Sequence, residues 1–108
     1  MRDFEQIDIQ KAREMMDSSK EVTIVDIRDA DSYAQGHIRN SILMTDESIN
    51  RFLESAEKHK PIICYCYHGI NSQMAAQYFK DNGFNKVFSM IGGFEVWRSV
   101  YPDEVVSE

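Results

Sequence analysis

The sequence has few of the residues that indicate an extracellular or membrane-spanning protein. Its 108 residues include only two cysteines, two prolines and five glycines. It contains no apolar run of roughly eighteen residues, the length that a membrane-spanning helix requires, and its first ten residues have no apolar core of signal-peptide length. We therefore expect a cytoplasmic protein that does not bind or cross a membrane.

The two cysteines are too close in sequence to indicate a disulfide framework. Cys64 and Cys66 are separated by one residue, and a disulfide between two residues this close in one strand would distort the strand. A reducing compartment would in any case keep both as thiols. A zinc site is not expected either, because Cys-x-Cys with His68 and a distant His37 or His59 lacks the paired ligand spacings of structural zinc sites.

Basic residues are outnumbered by acidic ones. Twelve Lys and Arg against eighteen Asp and Glu give a net charge of −6 at pH 7, and the acidic residues are spread along the chain. Nucleic acid is therefore not an expected partner. A length of 108 residues with 43% hydrophobic residues predicts one domain over residues 1–108, which we expect to be a monomer or a weak dimer.

Apolar residues alternate along the chain between strand-like and helix-like patterns. Central strands are predicted over 22–27 (VTIVDI) and 61–66 (PIICYC), since both are rich in β-branched residues and apolar on both faces. Weaker patterns predict further strands over 4–7, 41–44 and 86–90.

Helical patterns with terminating signals lie between these strands. Amphipathic helices are predicted after Asp8, after Asp46, over 72–83 and over 92–102, whereas 103–108 is predicted to be a tail. Strands that alternate with helices in a chain of this length predict an α/β fold. Its sheet is expected to be parallel, with helices on both faces.

Cys66 ends the most apolar predicted strand, and ligands of open parallel sheets bind beyond the carboxyl ends of strands. A tight loop from Cys66 to a helix start near Ser72 turns backbone N–H groups inward, next to the positive end of the helix dipole. Gly69, within this loop, tolerates positive φ. We therefore predict a lowered pKa and a nucleophilic thiol for Cys66 rather than a core role. Cys64 is interpreted as a small core residue, with a second redox thiol as the alternative.

The loop lacks the arginine on which cysteine-dependent phosphatases depend. Those enzymes carry Cys-x5-Arg, whose guanidinium binds phosphoryl oxygens through two donors, whereas the residue six positions after Cys66 is Ser72. No Lys or Arg occurs from 61 to 79. Backbone amides alone favour a small monoanionic group over a dianionic phosphoryl group, and sulfur bonded to sulfur is such a group.

Several separated motifs together resemble those of the single-domain rhodaneses. They are VDIRD at 25–29, SYAQGHI at 32–38, CYHG at 66–69, AAQYF at 75–79 and GGFEVW at 92–97. The resemblance implies a rhodanese-like fold with a mostly parallel five-stranded sheet. It also implies a six-residue active-site loop from Cys66 to Asn71.

The activity that this resemblance implies is thiosulfate sulfurtransfer in two steps. Cys66 would take the outer sulfur of thiosulfate as a persulfide, and cyanide or a dithiol such as thioredoxin or dihydrolipoate would remove it. No metal, nucleotide or organic cofactor is expected. The predicted substrate-binding residues are Tyr67, His68, Gly69, Ile70, Asn71 and Ser72. His68 is the only basic side chain among them, and it either binds the anionic substrate or covers the loop.

Three alternatives remain open. The chain could be a persulfide carrier with another sulfur donor, or a non-catalytic rhodanese-like binding module. It could also be a phosphatase or arsenate reductase, although the related enzymes have a loop one residue longer. Asp26 and Arg28, which end a neighbouring strand, are interpreted as forming a salt bridge or loop hydrogen bonds rather than as cleft residues.

Overall fold

The computed structural model describes residues 3–108, which form a five-stranded sheet, a two-stranded sheet and five α-helices. The strands are β1 (Glu5–Ile7), β2 (Thr23–Asp26), β3 (His37–Ile38), β4 (Ile42–Leu43), β5 (Ile62–Tyr65), β6 (Val87–Met90) and β7 (Val105–Val106). The helices are α1 (Ile9–Ser18), α2 (Ala30–Gln35), α3 (Ile49–Ser55), α4 (Asn71–Asp81) and α5 (Gly93–Val100), and a 3₁₀ turn covers Pro102–Glu104. No helix formed by residues 3–108 is long and apolar enough to cross a bilayer.

The larger sheet is parallel throughout, in the order β1-β6-β5-β2-β4. β5 lies at its centre, with Cys64 in register with Val25 of β2 and with Ser89 of β6. The predicted parallel α/β sheet is confirmed. Because the three central strands end at the same edge, the loops that follow them lie side by side.

Two hydrophobic clusters cover the two faces of this sheet. Ile63 and Tyr65 of β5 belong to the cluster that includes α1 and α5 residues, whereas Ile62 and Cys64 belong to the one that includes α4 residues, with α3 packed against it. This alternation follows from the two-residue period of a strand. Helices on both faces were expected because a strand that is apolar on both faces needs a cover on each.

Helix ends follow the sequence signals only in part. The Asp8 carboxylate accepts a hydrogen bond from the Lys11 N–H at 2.8 Å, so the predicted cap of α1 is confirmed. The predicted helix start after Asp46 is wrong. Thr45 and Ser48 exchange backbone-to-hydroxyl bonds of 3.0 and 3.2 Å in a turn, which delays the start of α3 to Ile49.

The segment predicted to be a tail is ordered structure. Val105 and Val106 form β7, which pairs antiparallel with β3, and the Glu108 N–H donates to the Ala34 carbonyl at 2.9 Å. The prediction was wrong because two adjacent valines favour a strand only when a partner is near, and β3 was not predicted. α2 was also missed, although Asp29 caps it by accepting from the Ser32 N–H at 2.8 Å.

Candidate active site

Cys66 lies immediately after β5, at the carboxyl edge of the sheet. Its Sγ accepts hydrogen bonds from the backbone N–H groups of Gly69 at 3.1 Å and Ser72 at 3.3 Å. The Ser72 hydroxyl oxygen lies 3.5 Å from the same sulfur. The loop from Cys66 to Ser72 therefore curls around one sulfur atom, as the sequence predicts.

The surroundings of Cys66 lower the pKa of its thiol. Burial by itself would raise that pKa, because a charged sulfur loses solvation. Hydrogen bonds from the Ser72 hydroxyl and from the backbone amides of Ser72, Gly69 and His68 outweigh burial, since each stabilises the charged form. The thiolate is thus favoured at a lower pH than in free cysteine, as a nucleophile requires.

Two glycines allow this loop to fold against the start of α5. Gly69 has φ of +86°, and a Cβ there would lie 2.8 Å from the Gly92 nitrogen and 2.9 Å from the Met90 carbonyl oxygen. Gly93 has φ of +60°, and its Cβ would lie 2.5 Å from the Cys66 carbonyl oxygen. Any side chain at either position would push the loop away from α5.

The first turn of α5 also binds the loop directly. The Phe94 N–H donates to the Cys66 carbonyl at 2.9 Å, and the Glu95 N–H donates to the Tyr67 carbonyl at 3.0 Å. These are N–H groups that a helix start leaves without partners inside the helix. The Phe94 and Glu95 N–H groups of GGFEVW therefore hold the loop that follows Cys66, a role that the sequence pattern did not reveal.

The predicted substrate-binding residues divide into three groups. Gly69 and Ser72 are buried and contact the sulfur. Tyr67 and Asn71 line a cleft of about 780 Å³ with Cys66 on its surface. His68 and Ile70 are exposed and do not line this cleft, and the His68 ring packs edge-on against Tyr67 with centroids 4.6 Å apart.

The cleft extends well beyond the loop. Its other walls come from the end of β2, from α2, from α5 and from β7; their residues are Ile27, Arg28, Asp29, Ser32, Gln35, Gly36, Phe94, Arg98 and Val105. Of these, only Arg28 was considered for the cleft from the sequence, and a salt bridge was the preferred interpretation for that residue. The remainder come from segments for which the sequence predicted no part in binding, including the predicted tail.

Arg28 is held in a buried ion pair. Its Nη2 lies 2.7 Å from Asp26 Oδ2 and donates to the Gly36 carbonyl at 2.6 Å. Asp26 is fully buried and also accepts from the Tyr65 hydroxyl at 2.6 Å. The predicted salt bridge between Asp26 and Arg28 is confirmed, but the expectation that Arg28 is not a cleft residue is wrong, because it also lines the cleft. Bonds to both Asp26 carboxylate oxygens and to the Gly36 carbonyl hold the Arg28 side chain in one position in the wall of the cleft.

Arg98 brings to the cleft a cation that the loop itself lacks. Its Nη2 donates to the Tyr67 hydroxyl at 2.8 Å and to Glu95 Oε2 at 2.7 Å. Half of its side chain remains exposed. The sequence showed only that Glu95 and Arg98 lie one helical turn apart. It did not predict that Arg98 contacts the loop that follows Cys66.

This constellation of a thiolate-stabilising loop on a parallel α/β sheet corresponds to a known class of protein. Residues 8–100 match the family described as the rhodanese-like domain, and the chain belongs to that family. Solved structures similar to it include the rhodanese-like domain of the Anabaena protein Alr3790, with a TM-score of 0.80 and 26% identity over 95% of this chain and 79% of that one. A rhodanese-like domain protein from Staphylococcus aureus has a TM-score of 0.76 and 28% identity over 87% and 91% of the two chains.

Other similar proteins are named for a particular enzymatic activity. Thiosulfate sulfurtransferase GlpE of Coxiella burnetii is 40% identical over 99 residues, which cover 92% of each chain. The protein of the same name from Pseudomonas paraeruginosa is 46% identical over 99 residues, covering 92% of this chain and 88% of the relative. The predicted resemblance to the rhodaneses is confirmed, and so is the predicted fold.

Proposed function

We propose that this protein is a thiosulfate sulfurtransferase that carries sulfur as a persulfide on Cys66. The observation that supports this most is the set of N–H donors around Sγ, which favours a thiolate at the carboxyl edge of the sheet. The names of its relatives, 40–46% identical over most of the chain, support the same reaction.

In the first step, the Cys66 thiolate attacks the outer sulfur of thiosulfate. A bond forms between the two sulfur atoms, the sulfur–sulfur bond of thiosulfate breaks, and sulfite leaves with that electron pair. The new terminal sulfur bears the negative charge. Backbone N–H groups of the loop stabilise this charge without reorganising, because they are fixed before the reaction.

In the second step, a thiophilic acceptor attacks the terminal sulfur, and the Cys66 thiolate leaves. Cyanide as acceptor yields thiocyanate. A dithiol such as thioredoxin or dihydrolipoate first becomes a persulfide and then a disulfide, releasing sulfide. Since the persulfide itself carries the transferred group, the cycle needs no cofactor.

The substrate-binding roles follow from where each residue lies. Gly69 and Ser72 donate N–H groups to sulfur, and the backbone amide of His68, rather than its ring, contributes to lowering the pKa of Cys66. Tyr67 and Asn71 shape the cleft. Ile70 contributes to the loop through its backbone. Arg98 is added to this set, because its half-exposed guanidinium can attract the oxyanion end of thiosulfate.

A cytoplasmic location and a monomeric or weakly dimeric state are part of the proposal. A nucleophilic thiol persists in a reducing compartment, and both cysteines in the described part of the chain are free. Neither nucleic acid nor a membrane is a proposed partner.

A persulfide carrier that is loaded by a larger donor is the second candidate. The cleft has a volume of about 780 Å³, and clefts of ~300–1,000 Å³ accommodate molecules much larger than thiosulfate. Glu95 also offsets part of the Arg98 charge. Comparing loading by thiosulfate with loading by glutathione persulfide distinguishes the two candidates, since faster loading by the larger donor favours the carrier.

Intact mass spectrometry tests the main proposal. After incubation with thiosulfate, the wild-type protein and the Cys64→Ser variant are expected to gain one sulfur atom, whereas Cys66→Ser gains none. An absence of added sulfur in the wild type, or its presence in Cys66→Ser, contradicts the proposal. Turnover of a generic aryl phosphate would instead indicate a phosphatase.

A further inference from the structure

Two buried serine hydroxyls form a chain of polar contacts that leads from the Cys66 sulfur into the sheet. The Ser72 Oγ lies 3.5 Å from Cys66 Sγ, and the Ser89 Oγ lies 2.8 Å from the Ser72 Oγ. Ser72 is completely buried and Ser89 is 1% exposed. Ser89 belongs to β6, the strand next to β5, so this chain of polar atoms connects the active-site loop to a second strand.

A hydroxyl at position 89 has no evident packing role. Ser89 is in register with Cys64 and is two residues from Val87, both of which belong to one apolar cluster. Burying a hydroxyl in such surroundings is unfavourable unless it forms a hydrogen bond. Over residues 3–108, the partner of the Ser89 side chain is Ser72, so its position is explained by what Ser72 does.

The protonation state of Cys66 determines the direction of both bonds. A neutral thiol donates its proton toward the Ser72 oxygen, and Ser72 then donates to Ser89. A thiolate has no proton, so Ser72 donates to sulfur and accepts from Ser89. The two hydroxyl protons rotate and no proton passes between the serines; the thiol proton leaves to solvent. A hydroxyl that accepts one bond donates a stronger one, because hydrogen bonds in a chain polarise each other.

We propose that Ser89 is a positioning residue that orients the Ser72 hydroxyl toward the Cys66 thiolate and thereby strengthens the bond to sulfur. This inference rests on the proposed role of Cys66 as the nucleophile. Ser89 itself touches neither substrate nor sulfur, so it acts only through Ser72. Its removal is expected to decrease the thiolate fraction near neutral pH, whereas the thiolate that forms should react at least as fast as in the wild type, because a less stabilised thiolate is more nucleophilic.

The rate of alkylation by iodoacetamide, measured against pH, tests this. In Ser89→Ala the rising limb of the profile is expected at higher pH, with the rate at pH 6.5 lowered about two- to fivefold, while the plateau at high pH is equal to the wild-type value or slightly above it. Ser72→Ala, which loses the direct donor, should lower that rate about tenfold. Ser89→Thr retains a hydroxyl and is expected to restore the wild-type profile.

The double variant determines whether Ser89 acts through Ser72. If it does, Ser72→Ala with Ser89→Ala has the same profile as Ser72→Ala alone, because the two effects are not independent. Ser41→Ala, which removes another buried serine hydroxyl and its 3.1 Å approach to the Tyr65 hydroxyl, is the control and should leave the profile unchanged.

Two results would overturn the inference: a Ser89→Ala profile that superimposes on the wild type, or a Ser89 effect that adds in full to that of Ser72. Alkylation requires no sulfur donor. Its profile is therefore readable even if Cys66 takes up no sulfur from thiosulfate, and a failure of the proposed function is distinguishable from a failure of this inference.

Discussion

Cys64 and Cys66 are two residues apart, yet their surroundings have opposite effects on the thiol. Cys64 lies inside β5, where burial first, and the nearby Cys66 second, strongly raise its pKa. Cys66 lies one residue beyond the strand, where hydrogen bonds outweigh burial and lower its pKa. Both residues are less than one tenth exposed, so exposure does not account for the difference.

The difference lies in where the backbone N–H groups point. Within β5 they are used by the sheet, in which Cys64 is paired in register with Val25 and Ser89. Beyond the strand, the N–H groups of Gly69 and Ser72 have no strand to bind and turn toward sulfur instead. Hydrogen bonds therefore favour the thiolate here because the sheet ends, and four predictions examine this contrast.

The largest effect is expected when each of the two cysteines is replaced in turn by alanine. Cys66→Ala should reduce sulfur transfer by at least about a thousandfold, because no other group forms the persulfide. Cys64→Ala should retain activity and lower the free energy of unfolding by about 1–2 kcal/mol, because it leaves a small cavity. Sulfite release and urea unfolding measure the two effects. Loss of transfer in folded Cys64→Ala would show that the interior thiol participates.

Gly69→Ala should disturb the loop while leaving the interior of β5 intact. The added Cβ would lie 2.8 Å from the Gly92 nitrogen at a φ of +86°, so we expect about 3 kcal/mol of destabilisation and a loss of thiolate character at Cys66. Thermal unfolding and alkylation at neutral pH measure both.

Gly83→Ala is the matched control for Gly69→Ala. Gly83 has φ of +97°, but a Cβ there would meet nothing within 4 Å. About 1 kcal/mol of backbone strain is expected, with unchanged alkylation. Equal effects of the two substitutions would mean that positive φ alone, and not contact with α5, matters at position 69.

The pKa values of the two thiols are shifted in opposite directions, so only Cys66 should be alkylated as the pH rises. Since the pKa of Cys66 is lowered, its alkylation rate should rise with pH and level off earlier than that of free cysteine, whose pKa is about 8.5. Cys64 should stay unmodified in the same range, because its pKa is raised and its side chain is fully buried. Peptide mapping after alkylation separates the two sites. A midpoint for Cys66 at or above that of free cysteine would remove the distinction between strand and loop.

The smallest effect is expected at the rim of the cleft. Arg98→Gln should raise the KM for thiosulfate about two- to fivefold with little change in kcat, since a half-exposed charge contributes modestly. Arg51 lies on the exposed side of α3, so Arg51→Gln is the control and should leave the KM unchanged. Initial rates at several thiosulfate concentrations decide this. An equal fall in kcat would place Arg98 in the chemical step instead.

Much of the fold was predictable because it depends on local patterns. Strands that are apolar on both faces predicted the parallel sheet, and an aspartate before an apolar run predicted the start of α1. The errors lie where a distant partner decides the local structure. Val105 and Val106 became a strand only through pairing with β3, and the bonds between Thr45 and Ser48 overrode the cap predicted at Asp46.

The candidate site shows the same division. The order of Cys66, Gly69 and Ser72 along the chain was enough to predict that N–H groups would surround one sulfur, because a tight loop before a helix start turns its N–H groups inward. Tertiary structure alone decided that Arg98 faces the cleft, that α5 holds the loop and that Ser89 lies behind Ser72. Those contacts join segments distant in sequence, and their geometry depends on how helices pack on the sheet rather than on any local pattern of residues.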